Sequence, residues 1–159
     1  MTRHPADYAA LLLRVSLGVM FLAHGLVLKV LTFTPAGTAA YFESIGYPGA
    51  LAYLVILAEI VGGLMLIAGA YVRAVSLALV PVLIGATLEH LPAGWIFTAQ
   101  GGGWEFPAFW TVTLLVQALL GARAHALAGG PLPPALRPRP AWAPRRCAAA
   151  RPRAPAAPP

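Results

Sequence analysis

Residues 57–69, LAEIVGGLMLIAG, set one carboxylate, Glu59, in a run otherwise suited to the middle of a lipid bilayer. An ionisable group at that depth costs about 2.5–3.5 kcal/mol on insertion scales, so such groups pair with one another or serve a path for protons or ions. Residues 11–30, LLLRVSLGVMFLAHGLVLKV, hold the polar groups that could answer it: Arg14, His24 and Lys29. At about 100° per residue, Arg14, Gly18, Phe21 and Gly25 share one helical face, with Lys29 to one side and His24 to the other. Ala52, Glu59, Gly63, Leu66 and Ala70 form a matching stripe, and small residues on both faces would let the two helices approach closely. Counting the helical rise, Glu59 lies about 13 Å and His24 about 9 Å from the same membrane surface, and Arg14 about 9 Å from the opposite one. Side chains lean toward the N-terminus of their own helix, so the expected contact is Glu59 to His24, with Lys29 as a second possible partner. Arg14 either snorkels to its surface or turns inward.

The elements that must carry these residues follow from composition. Apolar residues make up 59% of the 159 and charged residues only 10%, against about 25% charged in soluble chains. Crossing a hydrocarbon core takes about 20 helical residues. Four apolar stretches approach that length, at about 8–30, 50–70, 74–91 and 106–124. Backbone groups in lipid must be satisfied within their own segment, so these stretches are helices. The expected fold is all-α: an integral membrane four-helix bundle over residues 1–128, with a short amphipathic outer-surface helix and a disordered C-terminal tail over 129–159. The first stretch carries Arg14 and is too long for a removed signal peptide.

Charge sets the expected orientation. Arg3, Arg73, Arg123 and the six arginines after Gly129 fall on one side, and the other side offers only Lys29. The positive-inside rule then places both termini in the cytoplasm. The tail is rich in Pro, Ala and Arg without apolar periodicity, which predicts extended chain; its arginines could attract anionic lipid headgroups, or simply reinforce topology. No basic folded face or base-stacking platform points to nucleic acid. Cys147 is the only thiol, so dithiol exchange within the chain is excluded. The four histidines, His4, His24, His90 and His125, lack metal-ligand spacing, and no metal site is expected.

Two outer loops complete the reading. In LTFTPAGTAAYFESIGYPGA, Thr38, Tyr41, Phe42 and Ile45 recur at helical spacing and predict the amphipathic surface helix, ended by Gly46 and Pro48. In HLPAGWIFTAQGGGWEFPAFW, Trp95, Trp104 and Trp110 suggest an interfacial aromatic belt. The triple glycine lacks the Lys-Ser/Thr partner of a phosphate loop. On the third segment, Ala78, Pro81, Gly85 and Glu89 form a Gly- and Pro-bearing face on which Pro81 removes one helix bond.

Taken together, Arg14-x-x-x-Gly18, Phe21-x-x-His24-Gly25-x-x-x-Lys29, YFESIGYPG, Glu59-x-x-Gly62-Gly63-x-x-Leu66-x-x-Gly69 and GGGWEFP resemble the DoxX family of small four-helix bacterial membrane proteins, over roughly Tyr8 to Ala124. The resemblance implies a link to thiosulfate:quinone oxidoreduction or to a membrane complex in thiol and oxidative-stress defence. In a first functional reading the bundle is the plasma-membrane subunit of such a system: Arg14, His24, Lys29 and Glu59 take a quinone headgroup, and Glu59 or His24 relays protons. Redox partner subunits or a homo-oligomer would complete it. In a second reading the polar groups only lock the helices, and the protein is a scaffold for partners. A third, transport of a small solute or proton, lacks inverted repeats or broken helices to support it beyond Pro81.

Overall fold

The computed structural model describes residues 4–96, 98–123 and 125–127. Among them the chain is all-helical: α1 (Pro5–Leu22), continued without a break by π-helical turns (Ala23–Thr32), then α2 (Pro35–Ser44), α3 (Gly49–Ala68), α4 (Val72–His90) and α5 (Glu105–Leu120). Three helical runs are long and apolar enough to cross a membrane: Pro5–Thr32, Gly49–Ala68 and Val72–Ala93. The fourth, α5, is shorter than its sequence suggests. It has 16 residues and stops at Leu120, because Gly121 turns into the left-handed region at φ 73°. At about 1.5 Å per residue it spans about 24 Å.

Local chemistry starts and stops these helices. His4 caps α1, accepting from the Ala6 N–H through Nδ1, while Asp7 reaches back to the His4 N–H, and Pro5 fills the first turn. Thr34 caps α2 by accepting from the Gly37 N–H, and Gly46 follows the helix at φ 90°. Gly69 ends α3 in a left-handed cap at φ 75°, with the Ala70 N–H donating back to the Met65 carbonyl. Between α4 and α5 the loop closes on itself: the Trp104 N–H donates to the Gly94 carbonyl, and Trp95 meets Trp104 edge-on at 4.5 Å.

The core lies where α1, α3, α4 and α5 meet, around Leu17, Phe21, Leu66, Leu79, Leu83, Trp110 and Leu114. Leu12, Leu57, Leu77 and Phe109 point outward and are exposed, so the surface of the bundle is apolar where a bilayer would cover it. The tail expected over 129–159, with its arginines and Cys147, lies outside the described residues.

Candidate functional site

The position of Lys29 depends on a change of helix type. From Ala23 the first helix widens to π geometry, and at its end the Thr32 hydroxyl and the Phe33 N–H donate to the Val27 and Leu28 carbonyls, each five residues back. In an α-helix, His24 and Lys29 would point about 140° apart around the axis. With i to i+5 bonding, residues five apart come to the same side, and π turns of this kind recur at functional sites. Sequence reasoning placed the two on opposite flanks because it assumed one period throughout.

Small residues then bring α3 against this helix. A Cβ on Gly18 would lie 2.7 Å from the Gly63 carbonyl oxygen, and one on Gly25 would lie 2.8 Å from Glu59 Cβ. No side chain larger than hydrogen fits at either crossing point. The approach delivers Glu59 to Lys29: Nζ donates to Oε1 at 2.7 Å and to Oε2 at 2.5 Å. Glu59 is 4% exposed, and the Lys29 side chain 21%. The direct partner of Glu59 is therefore Lys29 rather than His24.

His24 stands beside the pair. Its Nδ1 is 3.0 Å from the Met20 carbonyl oxygen. A carbonyl can only accept, so Nδ1 carries the proton and Nε2 is left to accept from, or when protonated donate to, another group. The imidazole also packs on Trp110, with ring centroids 4.9 Å apart.

These three groups border a cavity of about 610 Å³ at the end of the bundle away from the N-terminus. Its walls come from α3 (Leu54, Val55, Ala58), α4 (Pro81, Gly85, Glu89) and α5 (Phe106, Trp110), and Tyr41 and Phe42 of α2, with Ile45 just after it, complete the lining. A mostly apolar concavity with a few convergent polar groups is what a small-molecule site looks like.

Trp110 is the residue that sequence reasoning misplaced. It belongs to the core, not to an aromatic belt: it is 5% exposed and packs on Phe21 with centroids 4.6 Å apart. The recurrence of Pro107, Trp110, Leu114 and Gln117 along α5, all buried, was the signal for an inward face. The Trp110 indole Nε1 is buried with no hydrogen-bond partner among the described residues. An unsatisfied buried donor costs about 1–3 kcal/mol.

Arg14 is not at this site. It is 1% exposed near the N-terminal end of the bundle, where Nη2 donates to the His125 carbonyl at 3.0 Å and the guanidinium packs against Gly69. It neither snorkels nor borders the cavity. It ties α1 to the segment that follows α5, beside the Leu127 N–H to Ala68 carbonyl bond at 3.2 Å.

The family model for DoxX matches residues 9–101. The chain belongs to the DoxX family. A similar known protein, from Bacillus subtilis (strain 168) and named "Putative oxidoreductase CatD", is 34% identical over 122 residues, covering 76% of this chain and 85% of the relative. No solved structure matches. The DoxX match takes in His24, Lys29 and Glu59 and stops short of α5. The Trp110 wall of the cavity therefore lies outside the matched segment of this DoxX membrane protein.

Proposed function

We propose that this DoxX protein is the membrane subunit of a quinone-linked redox system, of the kind that serves thiol or oxidative-stress defence, and that the cavity takes the quinone headgroup. One observation carries the reading: a Lys29–Glu59 ion pair, with His24 beside it, lies at the edge of a mostly apolar cavity that Glu89 and His90 also border. Interhelical polar contacts in membranes average only about 0.6 kcal/mol, a modest structural return for keeping two charges there. The name of the Bacillus subtilis relative points to the same class of chemistry.

Each group has a part. A lysine ammonium has three N–H donors; two go to Glu59, and the third is available to a headgroup oxygen. Reducing a quinone to a quinol takes up two electrons and two protons. The protons pass through Glu59 and His24 Nε2. The electrons come from a thiol or other reduced sulfur compound that is oxidised on a partner subunit. Arg14 stays out of this headgroup set and holds the far end of the bundle.

The setting is a bacterial plasma membrane. With α5 as the fourth crossing, both termini lie in the cytoplasm. The clustering of Arg14, Arg73 and Arg123 at the N-terminal end of the bundle supports this orientation: Arg73 donates to the Leu119 carbonyl at 3.3 Å, and Arg123 pairs with Asp7 at 3.3 Å. The tail arginines would rest on anionic headgroups, and a second copy of the chain or a redox subunit would dock on the bundle. The competing reading, a scaffold locked by Lys29 and Glu59, is favoured by the close Gly25–Glu59 packing at the pair and the Gly18–Gly63 crossing next to it.

The test is to purify the protein in mild detergent from its native membrane, extract it, and quantify quinone per chain for the wild type and Glu59→Gln. Near-stoichiometric quinone that falls in the folded variant is expected. Background quinone in both would leave the scaffold standing.

A further inference from the structure

One carboxylate of the cavity has no part in the Lys29 site. Glu89 lines the cavity and is half-buried. It continues the row Ala78, Val82 and Gly85 along α4, all of which line the cavity at helical spacing, so it stands on the cavity face of that helix. Among the described residues it has neither an ion-pair nor a hydrogen-bond partner. Lys29 gives two of its N–H donors to Glu59. From the contact of Gly62 with Leu79, the helical rise along antiparallel α3 and α4 puts Glu89 about 10 Å farther out than Glu59. The adjacent His90 is turned to the loop, where its Nδ1–H donates to the Gly101 carbonyl at 3.1 Å. Glu89 also lies in the last turn of α4, where the negative end of the helix dipole disfavours a carboxylate and favours a cation beside it.

The rest of the lining suits the same charge. Tyr41, Phe42 and Tyr47 border the cavity, and the Phe42 ring contacts both tyrosines, with centroids 6.4 and 6.3 Å apart. Phe106 borders it from α5. Lys29 and Glu59 cancel, so with the histidines neutral Glu89 leaves the lining one net negative charge. Aromatic faces attract a cation through the ring quadrupole, more strongly where water is excluded. A metal ion is not the match: among the described residues no group of three His, Cys, Asp or Glu could hold one.

We propose that the cavity takes an organic cation with an apolar body, its charge beside the Glu89 carboxylate and its body against Tyr41, Phe42, Tyr47 and Phe106. The proposal goes beyond the quinone reading and does not rest on it, since it is carried by other residues of the cavity.

The test uses the full-length protein in lipid nanodiscs, with binding to empty nanodiscs subtracted, and two probes of one shape and opposite charge, tetraphenylphosphonium and tetraphenylborate. Saturable binding of the phosphonium and none of the borate is expected. Glu89→Gln keeps the shape of the side chain and removes its charge, and should weaken the phosphonium by about tenfold or more. Phe42→Leu stays apolar but loses the ring face, and should weaken it about threefold. Glu43→Gln makes the same change of charge on an exposed carboxylate outside the cavity, and should stay within about twofold of the wild type. Thermal unfolding checks that the variants fold. A readout on the wild type alone stands even if Glu89→Gln does not fold: the phosphonium should slow modification of Glu89 by a carbodiimide, followed by peptide mass spectrometry, and leave modification of Glu43 unchanged. No saturable phosphonium binding, equal binding of the borate, unchanged binding in a folded cavity variant, an equal loss in Glu43→Gln, or an unprotected Glu89 overturns the proposal. Quinone content is scored separately, so either reading can fail without the other.

Discussion

Lys29 and Glu59 meet across the first helix and α3 with both carboxylate oxygens on a single ammonium, at 2.7 and 2.5 Å. The pair is mutually required. Removing one partner strands a charge in a low-dielectric site, whereas removing both leaves a neutral, packable wall. Lys29→Met should therefore cost about 2–4 kcal/mol of stability, and Lys29→Met with Glu59→Leu should recover most of it. Thermal unfolding of the four proteins in detergent, read as a double-mutant cycle, checks this. Losses that simply add would mean that the two charges do not depend on each other.

The two helix faces respond differently to one added methyl group. On Gly63 a Cβ would sit 2.9 Å from the Gly18 carbonyl oxygen, a backbone atom that cannot swing aside. Gly63→Ala should destabilise the bundle by about 1–3 kcal/mol by forcing α1 and α3 apart. Gly85 has open space and lies within α4, so Gly85→Ala should be neutral or stabilising by about 0.5–1 kcal/mol. Unfolding midpoints of the pair decide it.

Arg14 and Gly69 form the second crowded point. Any Cβ on Gly69 would run into the Arg14 guanidinium, and the backbone there is left-handed at φ 75°. Gly69→Ala should cost about 1 kcal/mol for the backbone alone, and should release Arg14 from the His125 carbonyl. Hydrogen exchange at the Leu127 N–H, which donates to the Ala68 carbonyl, reports the release; unchanged protection there would show that the clamp does not depend on Gly69.

Topology can be read through the only thiol in the chain. Cys147 follows the basic segment assigned to the cytoplasm. A membrane-impermeant maleimide should leave it unlabelled in intact spheroplasts and label it in inverted vesicles, and the reverse pattern would invert the orientation.

The sequence by itself determined the class and the materials of the site. Apolar run lengths required membrane helices, since lipid offers the backbone no other partners. The stripes carrying Gly18, Gly25, Glu59 and Gly63 were readable because a constant 100° period places them on facing sides. Tertiary structure decided what that period could not. The π-helical turns moved Lys29 onto the face of His24 and gave it Glu59, a change of helix type with no signature in local composition. Trp110 looked interfacial, as tryptophans near helix ends often are, until packing against Phe21 and His24 placed it in the core. Arg14 could have turned either way, and only the return of the chain after α5, bringing the His125 carbonyl to it, fixed it inside. In each case the deciding contact comes from a residue remote in sequence or from a changed helical repeat, and neither is encoded in a window of neighbouring residues.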